Sequence, residues 1–282
     1  MLRSMYSGIS GLRNFQTKLD VIGNNIANVN TYGFKKGRTI FKDLISQTVA
    51  GASGPGTTRG GVNPKQVGLG SQIAAIDTLH TPGSTQFTGN TLDLAITGDG
   101  FFAVKESTTN AQTLYTRAGN LYMDSTGDIV DGEGRYVVGV GVTATGTPAA
   151  NTIYDPVTNN KINIPKEATS MSVGQDGVVS YVRGDELHIA GQIQIATFSN
   201  PGGLEKIGGN LFASTVNSGT ALTGNPLVDG RGKLESGFLE MSNVDLAEEF
   251  TEMIVAQRGF QANTRIITTS DEILQELVNL KR

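Results

Sequence analysis

Apolar residues recur in steps of three and four from the start of the chain: Leu2, Met5, Ile9, Leu12, Phe15, Leu19, Ile22, Ile26 and Val29. That is the helical period, and it predicts an amphipathic helix over residues 1–30. Gly8, Gly11 and Gly23 fall inside the pattern, each costing about 1 kcal/mol of helix propensity relative to alanine, so this helix is expected to be weak without a partner. Residues 243–282 repeat the texture more strongly, with Leu246, Met253, Phe260, Ile267 and Leu274 at every seventh position and Ile266, Ile273 and Leu280 beside them. Ser242 with Asp245 reads as a capping box, acidic residues crowd the positive end of the helix dipole, and Lys281 and Arg282 stand at its negative end. A helix over 244–280 would run about 55 Å, longer than one compact domain normally accommodates, so the heptad seam predicts a helix–helix interface.

Between these ends, over 76–240, short β-branched runs such as LDLAI, FFAVKE, VGQDGVVSYV and HIAGQIQIATF alternate with Gly, Asp and Asn turns. That pattern predicts an all-β body. Residues 31–75, which contain GASGPGTTRGGVNP, are expected to lack regular structure and to form an extended Gly-rich connection. The predicted fold class is therefore α+β. Long N- and C-terminal helices (1–30 and 243–282) pair in an assembly core, and an all-β domain (76–240) is inserted between them. A helix pair that packs only on its own β domain is the alternative reading of the same pattern.

Charge adds a hint about pairing. Residues 1–30 carry a net positive charge from Arg3, Arg13 and Lys18 against Asp20, whereas 243–282 are net acidic. The whole chain, 282 residues at net charge −4, gives no electrostatic reason to expect nucleic acid or an anionic membrane as partner. The absence of cysteine removes disulfides, thiolate nucleophiles and thiolate zinc sites. No apolar stretch approaches bilayer length, and polar residues break any cleavable secretory signal at the N-terminus.

Candidate chemistry is sparse. Gly98-Asp99-Gly100 with Ala103 matches a dinucleotide loop in spelling, but a strand follows where pyrophosphate binding needs a helix, so a hairpin turn is expected. The acidic run Asp124, Asp128, Asp131 and Glu133 misses the spacing of a calcium loop and reads as a solvated turn. His80 and His188 lie far apart, outside any triad or zinc motif. No catalytic, cofactor-binding or metal-binding residues are assigned.

The stretch LDVIGNNIANVNTYGFKK at 19–36 resembles the N-terminal signature of bacterial flagellar axial proteins, the rod and hook family. TGNTLDLAITGDGFFAV with YTRAGNLYMDSTGDIV, GQIQIATFSNPGGLEKIGGNLF, and GFLEMSNVDLAEEFTEMIVAQRGFQANTRIITTSDEIL resemble its middle and C-terminal segments. The family pattern usually has Ala-Tyr where this chain has Gly259-Phe260. The resemblance implies a structural protein without cofactor, exported by the flagellar type III apparatus without a cleaved signal. It would assemble with itself outside the cell as part of the hook and basal body. Details of the N-terminal and 60–86 segments look more like a short hook subunit, a curved universal joint, with the rigid distal rod as alternative and an extracellular β-scaffold enzyme as a remote one. On the hook reading the partners are the distal rod, the hook cap, the hook–filament junction proteins and the export apparatus, and 51–61 with 63–70 form the adjustable intersubunit connection. The assembly interface is expected at Leu2, Met5, Ile9, Leu12, Leu19, Ile22, Ile26, Leu246, Met253, Phe260, Ile267 and Leu274, and the signature turn at Asn24, Asn25, Asn28 and Gly33.

Overall fold

A computed structural model describes residues 2–56, 59–107, 112–141, 161–184 and 186–280. Lys281, Arg282 and the side chain of Leu2, named above, lie outside the described residues. The chain divides into two compact units, one made of Met1–Ala27, Gly37–Leu79 and Val244–Arg282, the other of Asn28–Lys36 and His80–Asn243.

In the first unit, helix α1 (Leu2–Ala27) packs against helix α2 (Leu246–Asn279). Gly8 lies against Ile267, Gly11 against Asn263 and Phe15 against Gly259, so the two helices run antiparallel. At 34 residues α2 spans about 51 Å. Its cap is Asp245 rather than Ser242. The Asp245 carboxylate accepts from the amides of Ala247 and Glu248, which satisfies helix-end donors and puts Glu248 and Glu249 in the first turn.

The same unit corrects the expectation for 31–75. Strand β1 (Gly37–Asp43) pairs antiparallel with β4 (Ser71–Thr78), and β2 (Ser46–Ala50) pairs antiparallel with β3 (Lys65–Gly68). Gly and Pro concentrate in the connection between β2 and β3, where Ser53 and Val62 still form a bridge. The half-buried alternation of β1 and β4 is a strand pattern. Composition averaged over the whole segment conceals it.

The second unit opens with β5 (Thr85–Phe87), β6 (Leu94–Thr97), β7 (Phe101–Lys105), β8 (Leu114–Thr116), β9 (Tyr122–Met123), β10 (Ile129–Val130), β11 (Tyr136–Val137) and β12 (Gly139–Gly141). It continues with β13 (Ser170–Val173), β14 (Val178–Arg183), β15 (Glu186–Ile193), β16 (Ile195–Thr197) and β17 (Glu205–Gly208). It ends with β18 (Leu211–Ala213), β19 (Leu222–Gly224), β20 (Lys233–Ser236) and β21 (Phe238–Glu240). One large sheet runs β17-β18-β8-β7-β11-β10-β9, with β16 bridging β7 and β19, and a second runs β12-β15-β14-β13. The strands that carry the chain in and out pair separately, β20 with β6 and β21 with β5.

Leu94, Ile96, Phe102, Val104, Ile193, Ile195 and Leu234 fill the main core, and Phe101, Tyr115 and Phe212 a second cluster. The Gly98–Gly100 turn is a corner rather than the expected hairpin. It joins β6 to β7, strands that pair with different partners, and both glycines adopt positive φ.

Candidate functional site

Sequence reasoning placed the helix–helix seam on the large apolar residues. The structure puts small and polar ones at its centre. On α2 the buried positions are Glu249, Ala256 and Ser270, with Gly259 and Asn263 also facing α1. A Cβ added to Gly259 would come within 2.5 Å of the Phe15 ring, and one added to Gly11 within 2.9 Å of the Asn263 amide. Glycines that weaken a lone helix thus let two helices approach closely and give the Phe15 ring its place. The signal was present as small residues at heptad spacing, but hydrophobic periodicity does not register it.

The predicted interface residues distribute around this centre. On α1, Ile22 is buried, Met5, Leu12, Leu19 and Ile26 are half-buried, and Ile9 is exposed. On α2, Met253, Ile267 and Leu274 are half-buried, while Leu246 and Phe260 are exposed. At 100° per residue, Leu246, Phe250 and Ile254 fall on one flank of α2, and Val255, Ile266 and Ile273 on the other. All six are exposed. The charge asymmetry is expressed in the ion pair of Lys18 with Glu252, which at its exposure contributes little stability.

The signature turn separates into two devices. Asn25, buried in the first unit, exchanges hydrogen bonds with Gly37, donating to its carbonyl and accepting from its amide at 2.9 Å each. It also donates to Glu249 at 3.1 Å. Asn24 is exposed on the same helix. Asn28 and Gly33 belong to the second unit, where the Asn28 carboxamide accepts from the Thr31 hydroxyl and Gly33 adopts a φ of +69°.

A cleft of about 390 Å³ in the second unit is lined by Asn28, Thr31, Thr116, Asn120, Arg135 and Asn210, among others. Its walls bond to each other: the Thr116 hydroxyl to the Asn210 carbonyl, the Asn210 amide to the Tyr32 carbonyl, and Arg135 to Asp131. Asp128 of the acidic run is held by Lys161 and Asn163 at 2.7 Å each. Among the described residues no group of acidic or histidine side chains is arranged to hold a metal ion.

His80 packs edge-on against the rings of Phe101 and Phe212 at 5.5 and 5.4 Å, and no hydrogen bond of normal geometry reaches either ring nitrogen. Burial lowers its pKa to about 4, and the positive charges of Lys35, Arg117 and Lys206 act in the same direction, against a smaller pull from the Pro201 backbone. Since the unfolded chain takes up this proton near 6.5, stability is complete above that pH and falls as pH drops toward 4. The expected loss is about 3 kcal/mol, and it should shrink in His80→Phe. Urea unfolding of both proteins between pH 7 and pH 4 measures it; equal slopes in the two would assign the acid sensitivity elsewhere.

The first unit pairs the terminal helices with apolar flanks exposed, and the second is a β body that interrupts the first in the sequence. Residues 5–35 match the family described as flagella basal body rod protein, 95–181 the flagellar hook protein FlgE/F/G D1 domain, and 235–280 the flagellar basal body rod FlgEFG protein C-terminal. The chain is 58% identical over 284 residues, covering all of both chains, to the flagellar basal-body rod protein FlgG of Bacillus subtilis (strain 168). It is 38% identical over 288 residues to the protein of that name from Borreliella burgdorferi, and 34% identical over 444 positions to the flagellar hook protein FlgE of that organism, in both cases across the full length of both chains. The chain belongs to the flagellar rod and hook protein family. It is an axial structural protein of the bacterial flagellum.

Proposed function

We propose that this chain is a subunit of the distal rod, the rigid shaft of the flagellar basal body, rather than of the hook. The observation that carries this reading is the 58% identity over the whole of both chains with a basal-body rod protein. The hook relative aligns over 444 positions, so this chain is gapped across many of them. The ladders β1–β4 and β2–β3 support the same reading, because paired strands make 37–78 a stiffer connection than the adjustable joint that a hook needs.

In the shaft, the exposed apolar flanks of α2 pack against neighbouring copies, and a heterologous contact that does not close on itself builds a helical tube. The partners on this reading are further copies of the chain, hook subunits at the outer end, and the type III export apparatus through which the chain passes without a cleaved signal. Electron microscopy of basal bodies from a strain lacking this chain tests the assignment. The expected result is a truncated rod with no hook attached, restored by the wild-type gene. A complete straight rod missing only its curved joint would return the chain to the hook.

A further inference from the structure

Lys35, Arg117 and Glu240 each fall in a different one of the three family-matched segments. Their side chains nevertheless meet inside the second unit, none more than 3% exposed. Glu240 Oε1 accepts from Lys35 Nζ at 2.6 Å and from the Gly83 amide at 3.0 Å, while Oε2 accepts from Arg117 Nη1 at 3.2 Å. Lys35 also donates to the Thr81 carbonyl at 2.8 Å, and Arg117 Nη2 to the Gly98 carbonyl at 2.9 Å. Backbone bonds surround the cluster, from the Gly33 amide to the Glu240 carbonyl and from the Met241 amide to the Ser84 carbonyl, each 2.8 Å. Asn243 completes it, accepting from the Lys36 amide at 2.8 Å and donating to the Thr81 hydroxyl at 2.9 Å.

The chain passes between the units after residues 27, 36, 79 and 243. The last three passages are flanked by this cluster, at Lys35 and Lys36, at Thr81 to Gly83, and at Glu240 to Asn243. Stability alone is a poor reason for such an arrangement, since desolvating buried charges cancels much of their attraction, and the better-attested use of buried ion pairs is to specify one arrangement of the chain. Charge-assisted bonds are also the stronger ones, so several meeting at one carboxylate raise the barrier to separating the segments they join.

We infer that Lys35, Arg117, Glu240 and Asn243 form a buried pin that fastens three chain passages to one point of the β body, so that force applied through the terminal helices reaches the sheet core instead of peeling 28–36 or β21 away. The inference rests on the distal-rod role proposed above. Its residues act as positioning residues, and the property they confer is resistance to force rather than resistance to heat.

The test pulls the full-length chain by handles at its two ends in a force ramp, comparing wild type with Glu240→Gln and Asn243→Ala. Each variant is expected to lower the force at which 28–36 detaches, Glu240→Gln by about half because it weakens charge-assisted bonds, and Asn243→Ala by less because its bonds to the Lys36 amide and the Thr81 hydroxyl are between neutral groups; forced unfolding follows the unfolding rate directly. Asn243 lies at the margin of the cluster, so Asn243→Ala is expected to keep the wild-type melting temperature and the amide protection of β7 and β16. Detachment at wild-type force in both variants overturns the pin. So does a lower force in Asn243→Ala that only accompanies lost protection in β7 and β16, which would mark general destabilisation. A complete straight rod in the null strain would count against the distal-rod role, whereas the force comparison decides the pin independently of it.

Discussion

Phe250→Asp should block polymerisation at the concentrations where the wild type assembles, while leaving the isolated chain folded. Phe250 is 50% exposed and Ile254, one helical turn on, 59% exposed, on a flank of α2 that α1 does not cover. Apolar surface left open in this way marks an interaction site, and a neighbouring copy would remove it from water. Burying a carboxylate there costs several kcal/mol at each subunit contact. At 1.4 kcal/mol per tenfold, a penalty of about 3 kcal/mol raises the concentration needed for assembly by about a hundredfold. The monomer exposes the same position to water, so its melting temperature should move by no more than about 2 °C, as expected for a surface substitution. Sedimentation of polymer alongside thermal unfolding of monomer measures both. Normal tubes from the variant would show that this flank faces solvent in the assembly, and Ile266 and Ile273 on the opposite flank would then be the contact.

Gly33→Ala should cost the second unit about 3–4 kcal/mol of stability, a backbone effect combined with a clash. The φ of +69° is left-handed, a conformation in which alanine loses about 1–2 kcal/mol relative to glycine. A Cβ at this position would stand 2.5 Å from the Ala118 amide nitrogen and 2.6 Å from the Arg117 carbonyl carbon. Those atoms are backbone and cannot rotate away, so the turn itself must move, and the Gly33 amide loses its bond to the Glu240 carbonyl. Gly51→Ala is the control, since a Cβ there meets open space; it should be neutral or slightly stabilising through its effect on the unfolded chain. Urea unfolding of the two variants compares them directly, and a loss below about 1 kcal/mol for Gly33→Ala would mean that the turn relaxes at little cost.

Local and periodic features of this chain are legible from its residues alone. The two terminal helices follow from three-and-four spacing, the acidic first turn of α2 from its order of residues, and the β body from short β-branched runs closed by glycines. Family membership is legible too, because its signatures are contiguous. Where sequence reasoning went astray, the deciding partner lay elsewhere in the chain. Large side chains at heptad positions supply only part of the α1–α2 contact, with Ile267 against Gly8 and Ile22 buried, while Gly8, Gly11 and Gly259 let the helices close on small and polar residues and leave other apolar residues exposed on the flanks. Glycine content concealed the β1–β4 ladder, whose pairing is set by a strand more than twenty residues away. Nothing in the local sequence around Lys35, Arg117 or Glu240 marks them as partners. Hydrophobic period and turn chemistry depend on neighbours along the chain, so the sequence by itself determined the helices, the β character of the middle and the family. Close approach, strand register and charge burial depend on residues that meet only when the chain has folded back, so the seam, the ladders and the ionic cluster were decided by the tertiary structure.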